Sequence, residues 1–297
     1  MLVPSGRQTR TILAVLRHAQ RYQALVLDGS SRRDQVAAAL LSLRPRRPAV
    51  IVADATWKSN TNLIDMTVNK VGIHVMDGFR TTFCVPSTFE VESFVRTWGQ
   101  LRGQVRFVAW PYTLPEAELQ KHANENGRVF AGGNSLRDHD AVIDAARLLP
   151  SVGVDLATGA LNDAQMARLP MNVNGGAVPQ AAYDEMMLNA TVVVVALQAR
   201  PDRSSGQTTY VNAMARGKAL VVTDTPGVRD YLQDHETALI VPPRDPAAIA
   251  CAVQRLLDDA QLRRELGARA REHALSNLTL THYARRLLAI VSETTER

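Results

Sequence analysis

Short apolar, β-branched runs recur along the chain, separated by longer stretches in which apolar residues return every three or four positions. The first pattern suits a strand covered on both faces and the second a helix with one buried side, so their alternation predicts parallel sheets with crossover helices. In the first half the runs are Ala24 to Gly29, Ala49 to Asp54, Val71 to Met76 and Val105 to Trp110. In the second they are Arg128 to Gly133, Val152 to Ala157, Thr191 to Leu197, Ala219 to Thr223 and Ala238 to Pro242. Helical periodicity is evident in "TRTILAVLRHAQRY" and in "PSTFEVESFVRTWGQL". In the latter Ser87 can cap, Glu90 can reach back, and Phe94, Trp98 and Leu101 follow at helical spacing. Three helical stretches close the chain after Pro246.

Around "WPYTLPEAE" Pro111 and Pro115 interrupt the alternation, which then restarts. Proline stiffens a connection and continues neither ladder, so the domain junction falls there. The predicted class is α/β: two doubly wound, Rossmann-like domains facing a cleft, residues 1–113 and 114–278, with no short-period repeat.

Ligands of open parallel sheets sit beyond the carboxyl ends of strands, which directs attention to three loops of the second domain. In "FAGGNSLRDHDAVIDAARLL" the strand ends at Gly132 and Gly133, and Asn134, Ser135 and Arg137 lead into a helix. Glycines allow close backbone approach, free amides at a helix start favour an anion such as a diphosphate, and Arg137 adds countercharge. An ordinary glycine turn with a solvated Arg137 would read the same. The second loop, Met171 to Pro179, precedes a helix carrying Tyr183 and could present backbone groups, near Val178, to a nucleobase edge. The third is "SSGQTTYVNAMARGKALVVTDTPGVRDYL": Ser204, Ser205, Gly206, Gln207, Thr208 and Thr209 offer hydroxyls and amides at a helix start, a surface suited to phosphate and sugar.

At 297 residues and 46% hydrophobic content the chain can bury two ordinary cores. No run of about 18 apolar residues occurs, and Met1 to Gly6 lacks the charged-then-apolar layout of a secretory signal, so the expected location is cytoplasmic. Cys84 and Cys251 are the only cysteines; two buried thiols are expected rather than a disulfide framework or a zinc site. The seven histidines show no metal-ligand spacing. The net charge of +5 is carried almost wholly by arginine, densest at Arg32, Arg33, Arg44, Arg46 and Arg47. Guanidinium forks suit phosphates or an anionic surface, including peripheral contact with a membrane. With few aromatics nearby to stack bases, a nucleic-acid partner is disfavoured. His74 with Asp77, at the end of "VGIHVMDG", could act on a second substrate, or His74 could be structural. Trp57, beside Asp54 and Lys58, could stack on a sugar ring or pack in the core.

The order strand, Gly-Gly, Arg-Asp, helix, followed by "VVVVAL", "NAMARGKALVVTD" and "ALIVPPRDPAAIACAVQRLL", resembles the nucleotide-sugar domain of the retaining GT-B glycosyltransferases of group 1, over most of residues 128–275. "FCVPSTFEVESFV" and "VRFVAWPYTLPEAEL" look like the end of that family's acceptor domain and its crossing to the donor domain. The resemblance implies transfer of a sugar from a nucleotide-diphosphate donor to an acceptor (a glycan, lipid or small molecule), with retained configuration and no metal or cofactor. It further implies that residues 279–297 form a helix crossing back to the first domain. The family carries two glutamates eight positions apart, one on the donor sugar and one on the ribose; Ser204 and Asn212 occupy those positions here. Asn212 can still hydrogen-bond a ribose, whereas Ser204 replaces a carboxylate poorly. The diphosphate is expected on Arg137, Gly133, Asn134 and the Ser205 to Thr209 loop, with electrostatic stabilisation from helix-end amides, so that Arg137 and His74 are the catalytic candidates. The family's first strand and glycine-rich loop have no counterpart at Met1 to Gly6: either that strand is absent or the true start lies upstream, and a shortened acceptor domain is the expectation. The reading from another class is a non-catalytic nucleotide-binding or scaffold protein that kept the GT-B fold but lost the carboxylates.

Overall fold

The structure is a computed structural model that describes residues 8–29, 32–44, 47–57, 63–78, 80–99, 101, 103–200 and 202–296. Met1 to Gly6, Arg46 and Lys58, raised above, lie outside the described residues. The chain divides into two compact units: unit 1 comprises residues 1–109, 201–203 and 283–297, and unit 2 residues 110–200 and 204–282.

Unit 1 runs α1 (Gln8–His18), β1 (Ala24–Leu27), α2 (Arg32–Ser42), β2 (Ala49–Val52), α3 (Leu63–Met76), β3 (Thr81–Val85), α4 (Thr88–Trp98) and β4 (Gln104–Phe107). Unit 2 runs α5 (Glu116–Leu119), β5 (Val129–Gly132), α6 (His139–Leu148), β6 (Val154–Ala157), α7 (Asp163–Ala167), β7 (Val173–Gly176), α8 (Gln180–Asn189), β8 (Val192–Val195), α9 (Gln207–Ala215), β9 (Ala219–Thr223), β10 (Leu239–Val241), α10 (Pro246–Asp258) and α11 (Ala260–Asn277). The last helix, α12 (Leu280–Thr295), lies mostly in unit 1.

Among the described residues both sheets are wholly parallel, as the apolar runs predict. Unit 1 has the sequential order β1-β2-β3-β4. Successive residues of β2 point to opposite faces: Val50 and Val52 pack with residues of α2, α3 and α4, including Ala38, Ile73 and Phe94, while Ala49 and Ile51 pack with Ile290 and Leu287 of α12. Unit 2 has the order β10-β9-β8-β5-β6-β7. Its chain starts in the middle at β5, winds outward through β6 and β7, then returns to β8 on the other side of β5. That reversal defines a switch point between β5 and β8, where open sheets of this type form a ligand crevice.

Two expected elements are corrected, and one strand was not foreseen. Val71 to Met76 is not a strand but the last part of α3. A short apolar run fits either element, and here the run continues a helix begun at Leu63 that buries Ile73 and Met76 against the sheet. The strand actually following is β3, whose polar start conceals it: Thr81 Oγ1 donates to the Met76 carbonyl at 2.9 Å, and Thr82 Oγ1 meets Thr294 Oγ1 of α12 at 2.8 Å. Within the loop expected at Met171 to Pro179, Val173–Gly176 forms edge strand β7, paired with β6 from Val154↔Val173 to Ala157↔Gly176. Its glycines erase the alternation that would have marked it.

Smaller features follow the sequence with one exception, Cys251. Ser87 Oγ accepts the Glu90 N–H at 3.2 Å at the start of α4. Trp57 packs in the core rather than presenting a sugar platform, its ring 6.0 Å from Phe83 and 5.8 Å from Phe94. Cys84 is buried, which pushes its thiol up to about 12, whereas Cys251, expected to be buried, is exposed.

Candidate functional site

Around the switch point of unit 2, polar groups from successive strand ends hold one another in place. After β5 the chain turns through Gly133, at φ 106°, and Leu136, at φ 52°. Arg137 folds back on this turn: Nε donates to the Gly132 carbonyl at 3.0 Å, Nη1 to the Ser135 carbonyl at 2.7 Å, and Nη2 to Thr209 Oγ1 of α9 at 2.8 Å. A Cβ on Gly133 would stand 2.8 Å from the guanidinium, so glycine is required both for the backbone angle and for this approach. Burial lowers the Arg137 pKa, with Tyr183 and Tyr210 opposing the shift. The guanidinium nevertheless remains charged at neutral pH. It therefore acts as a strut between the β5–α6 turn and the start of α9.

The next strand end is tied in by Asn134, whose Oδ1 accepts from Thr158 Oγ1 at 2.8 Å and from the Gly159 N–H at 2.9 Å. Because the single Thr158 hydroxyl proton goes to Asn134, the 3.3 Å contact with His139 Nε2 has the ring donating. Burial, then the nearby Arg137 charge, lowers the His139 pKa, which favours the neutral ring this bond uses.

Tyr183 on α8 packs edge-on against Phe130 at 4.9 Å. A Cβ on Gly132 would fall 2.6 Å from its ring, so the glycine pair at 132–133 admits an aromatic ring on one side and Arg137 on the other. Thr209 also hydrogen-bonds Tyr183, whose hydroxyl pKa is raised first by burial. One threonine thus joins the β5–α6 turn, α8 and α9.

The start of α9 is shaped by Gly206, at φ 93°, which offers no side-chain cap. The first-turn amides of an uncapped helix are available to a ligand or to solvent. Gln207 Nε2 donates to Ser204 Oγ, closing the loop before the helix. Further along α9, Asn212 is fastened to Thr113: Oδ1 accepts the Thr113 N–H at 2.8 Å and Nδ2 donates to Thr113 Oγ1 at 3.0 Å.

These loops enclose a cavity of about 490 Å³. Among the residues singled out in the sequence it brings together Gly133, Asn134, Val178, Thr208, Thr209 and Asn212. Arg137, Ser204, Ser205, Gly206 and Gln207 do not line it; they support its rim from the same turn and helix start. His74 belongs to unit 1, exposed on α3, with Nδ1 donating to the Lys70 carbonyl at 2.8 Å. The cavity also uses Thr113, Thr158, Gln180, Tyr183 and Asp184, which sequence reasoning did not select as site residues. Thr158 and Gly159 directly follow a predicted strand, so the same strand-end rule could have found them. Asp184 accepts from Gln180 Nε2 at 3.0 Å and stands 3.4 Å from the buried guanidinium of Arg216, which also reaches Glu118 at 3.3 Å.

Comparison with known proteins bears on the fold that carries this cavity. Residues 172–273 match the family model of the glycosyl transferases group 1. The fold is similar to sucrose-phosphate synthase from Thermosynechococcus elongatus, with TM-score 0.69 and 19% identity over 99% of this chain and 80% of that one. It is similar also to HepE of Anabaena, solved with UDP and glucose, with TM-score 0.73 and 15% identity over 98% and 84%. A glycosyltransferase from Rickettsia africae gives TM-score 0.70 and 12% identity over 99% and 84%. No curated protein matches the chain. Residues 172–273 thus match the glycosyl transferases group 1 model, within a chain that has the GT-B fold of glycosyltransferases.

Proposed function

We propose that the protein transfers a sugar from a nucleotide-diphosphate donor to an acceptor, with retained anomeric configuration and without a metal or cofactor, and that the unit 2 cavity receives the donor. The observation that carries this reading is the convergence at one switch point of the glycine turn after β5, the uncapped start of α9 and the polar rim between them. A diphosphate complements such a site because helix-start amides and a fixed guanidinium present positive ends without reorganising. HepE has been solved with UDP and with UDP-glucose, which supports a nucleotide-sugar as the ligand class.

In this reading the Gly133 and Asn134 turn and the Ser205 to Thr209 segment meet the diphosphate, with Arg137 holding both in position through Thr209. Asn212 and Thr113 meet the ribose, and Ala177 to Pro179 the base. Ser204 supplies a hydroxyl where a carboxylate would otherwise oppose positive charge developing on the sugar, so turnover is expected to be slow. His74 is the candidate on the acceptor side: with Nδ1 given to the Lys70 carbonyl, Nε2 is the nitrogen left to exchange a proton. His74→Ala then lowers kcat while nucleotide affinity stays unchanged.

A second reading, a non-catalytic nucleotide-binding protein, is favoured by one observation: the Asn212 carboxamide is already engaged by Thr113. Calorimetric titration with UDP, GDP, TDP and ADP, followed by donor-consumption assays with sugars of the base that binds, separates the two. Binding with turnover, undiminished by EDTA, supports the transferase as proposed. Binding without turnover across acceptor classes supports the second reading, and no binding at millimolar nucleotide rejects both.

A further inference from the structure

Among the described residues that line the unit 2 cavity, Asp184 is the only one with a charged side chain. A diphosphate repels a carboxylate, so this group must face another part of any nucleotide that enters. Its place is fixed from two sides. On α8, Gln180, one turn earlier, donates Nε2 to Asp184 Oδ2 at 3.0 Å. At the end of α9, the guanidinium of Arg216 approaches Asp184 Oδ1 through Nη1 and Nη2, each at 3.4 Å.

The Arg216 N–H donates to the Asn212 carbonyl at 3.1 Å, so these two residues are helical neighbours one turn apart. Asp184 therefore stands beside the turn that carries Asn212, whereas Thr209, at the start of α9, lies about 10 Å from Arg216 along the helix. Both guanidinium contacts are longer than the ~2.7–2.9 Å of a charge-assisted hydrogen bond. The Asp184 side chain is also 28% exposed. Arg216 and Gln180 set where the carboxylate stands without using all of its lone pairs.

We propose that Asp184 reads the sugar of the bound nucleotide, accepting hydrogen bonds from the ribose 2′- and 3′-hydroxyls. The inference rests on the reading of this cavity as a nucleotide site and adds the residue that selects a ribonucleotide over its deoxy forms. In any nucleotide the sugar lies between base and phosphates. Asp184 lies between the Ala177 to Pro179 segment, which α8 follows, and the helix start assigned to the diphosphate. An ionised carboxylate has acceptors only, and vicinal hydroxyls present two donors side by side, whereas a uracil edge sets carbonyl oxygens beside its N–H. Thr113 engages both ends of the Asn212 carboxamide, which leaves Asp184 as the stronger acceptor in this part of the cavity.

The test is calorimetric titration of the full chain with UDP, GDP and ADP, each against its 2′,3′-dideoxy form. For whichever base binds, the ribonucleotide is expected to bind at least about tenfold more tightly than its dideoxy counterpart. Asp184→Asn should shrink that ratio to about threefold or less by weakening the ribonucleotide alone. Arg216 keeps Glu118 at 3.3 Å as a partner in this variant. Should its melting temperature fall, Asp184→Asn combined with Arg216→Gln removes both charges and is expected to show the same reduced ratio. Equal affinity of the wild type for the two forms overturns the inference and leaves the nucleotide site in place. So does a variant that loses affinity for both forms alike, which would make Asp184 a group of the fold or of the base pocket. Failure of every ribonucleotide to bind at millimolar concentration rejects the nucleotide reading itself, and the inference with it.

Discussion

Two parallel sheets of similar material make different surfaces because their strands are ordered differently. In unit 1 the order is sequential, and right-handed crossovers in one direction put α2, α3 and α4 on the same face, leaving α12 for the other. In unit 2 the order reverses between β5 and β8, so α6 and α10 cover one face, and α8 and α9 contact β5, β8 and β9 from the other. The reversal opens a crevice, and the loops around it are glycine-rich and polar. Among the described residues unit 1 has no such reversal; its distinctive features are an aromatic core and exposed aliphatic side chains on α2 and α3. Strand order, more than composition, decides where a ligand can enter.

The comparison is broken most strongly in the unit 1 core. Trp57 packs with Phe83 and Phe94, and Phe94 with Trp98 at 6.5 Å. Trp57→Ala is expected to destabilise unit 1 by about 3–5 kcal/mol, measured by denaturant unfolding. Nucleotide binding by unit 2 should persist in the variant. Loss of both together would show that the units fold as one.

Next in size is the strut of the crevice. Arg137→Ala removes three hydrogen bonds and releases both the β5–α6 turn and Thr209. Calorimetry should show nucleotide affinity reduced roughly tenfold or more, about 1.4 kcal/mol per tenfold. Thr209→Val, which leaves the guanidinium on its own turn, should lose less. Equal affinity in Arg137→Ala and wild type would remove the residue from the site.

Gly206→Ala probes the helix start. Its φ of 93° is unfavourable for a side chain, and the new Cβ would meet Leu197 Cδ2 at 2.9 Å. A loss of about 1–3 kcal/mol of stability is expected, with nucleotide affinity falling as the first turn of α9 shifts.

The smallest effect is a pH dependence confined to unit 2. Burial lowers the His139 pKa from its ordinary 6.5, so the unfolded chain takes up a proton that the folded unit resists. Stability is therefore complete above pH 6.5 and declines as pH falls from that value through the lower folded pKa, with a slope of at most about 1.4 kcal/mol per pH unit for this one group. His139→Gln should flatten the melting-temperature curve in that window, and an unchanged curve would assign the acid sensitivity to other groups.

Much of this was legible in the linear chain. Val192–Val195, all apolar and all β-branched, can hardly be anything but a strand buried on both faces, and the turn at Gly132 and Gly133 announces itself by residues that permit unusual angles and close approach. Those are local signals, set by the chemistry of a few adjacent residues. They sufficed for the class of fold, the alternation of elements and the position of the loops that hold the candidate site. What the chain did not disclose depends on partners distant in sequence. Val71 to Met76 reads as a strand until its helical continuation and its packing are seen, and β3 begins with threonines whose hydroxyls are satisfied by the end of α3 and by α12. Arg137 looked like a free cation for phosphate, whereas three of its five N–H donors are taken by Gly132, Ser135 and Thr209; Asn212 looked free for a ribose, whereas Thr113 holds it. Side-chain type and spacing state what a residue can donate or accept. Which partner it finds is settled only when strand order brings separate loops to the same edge of the sheet.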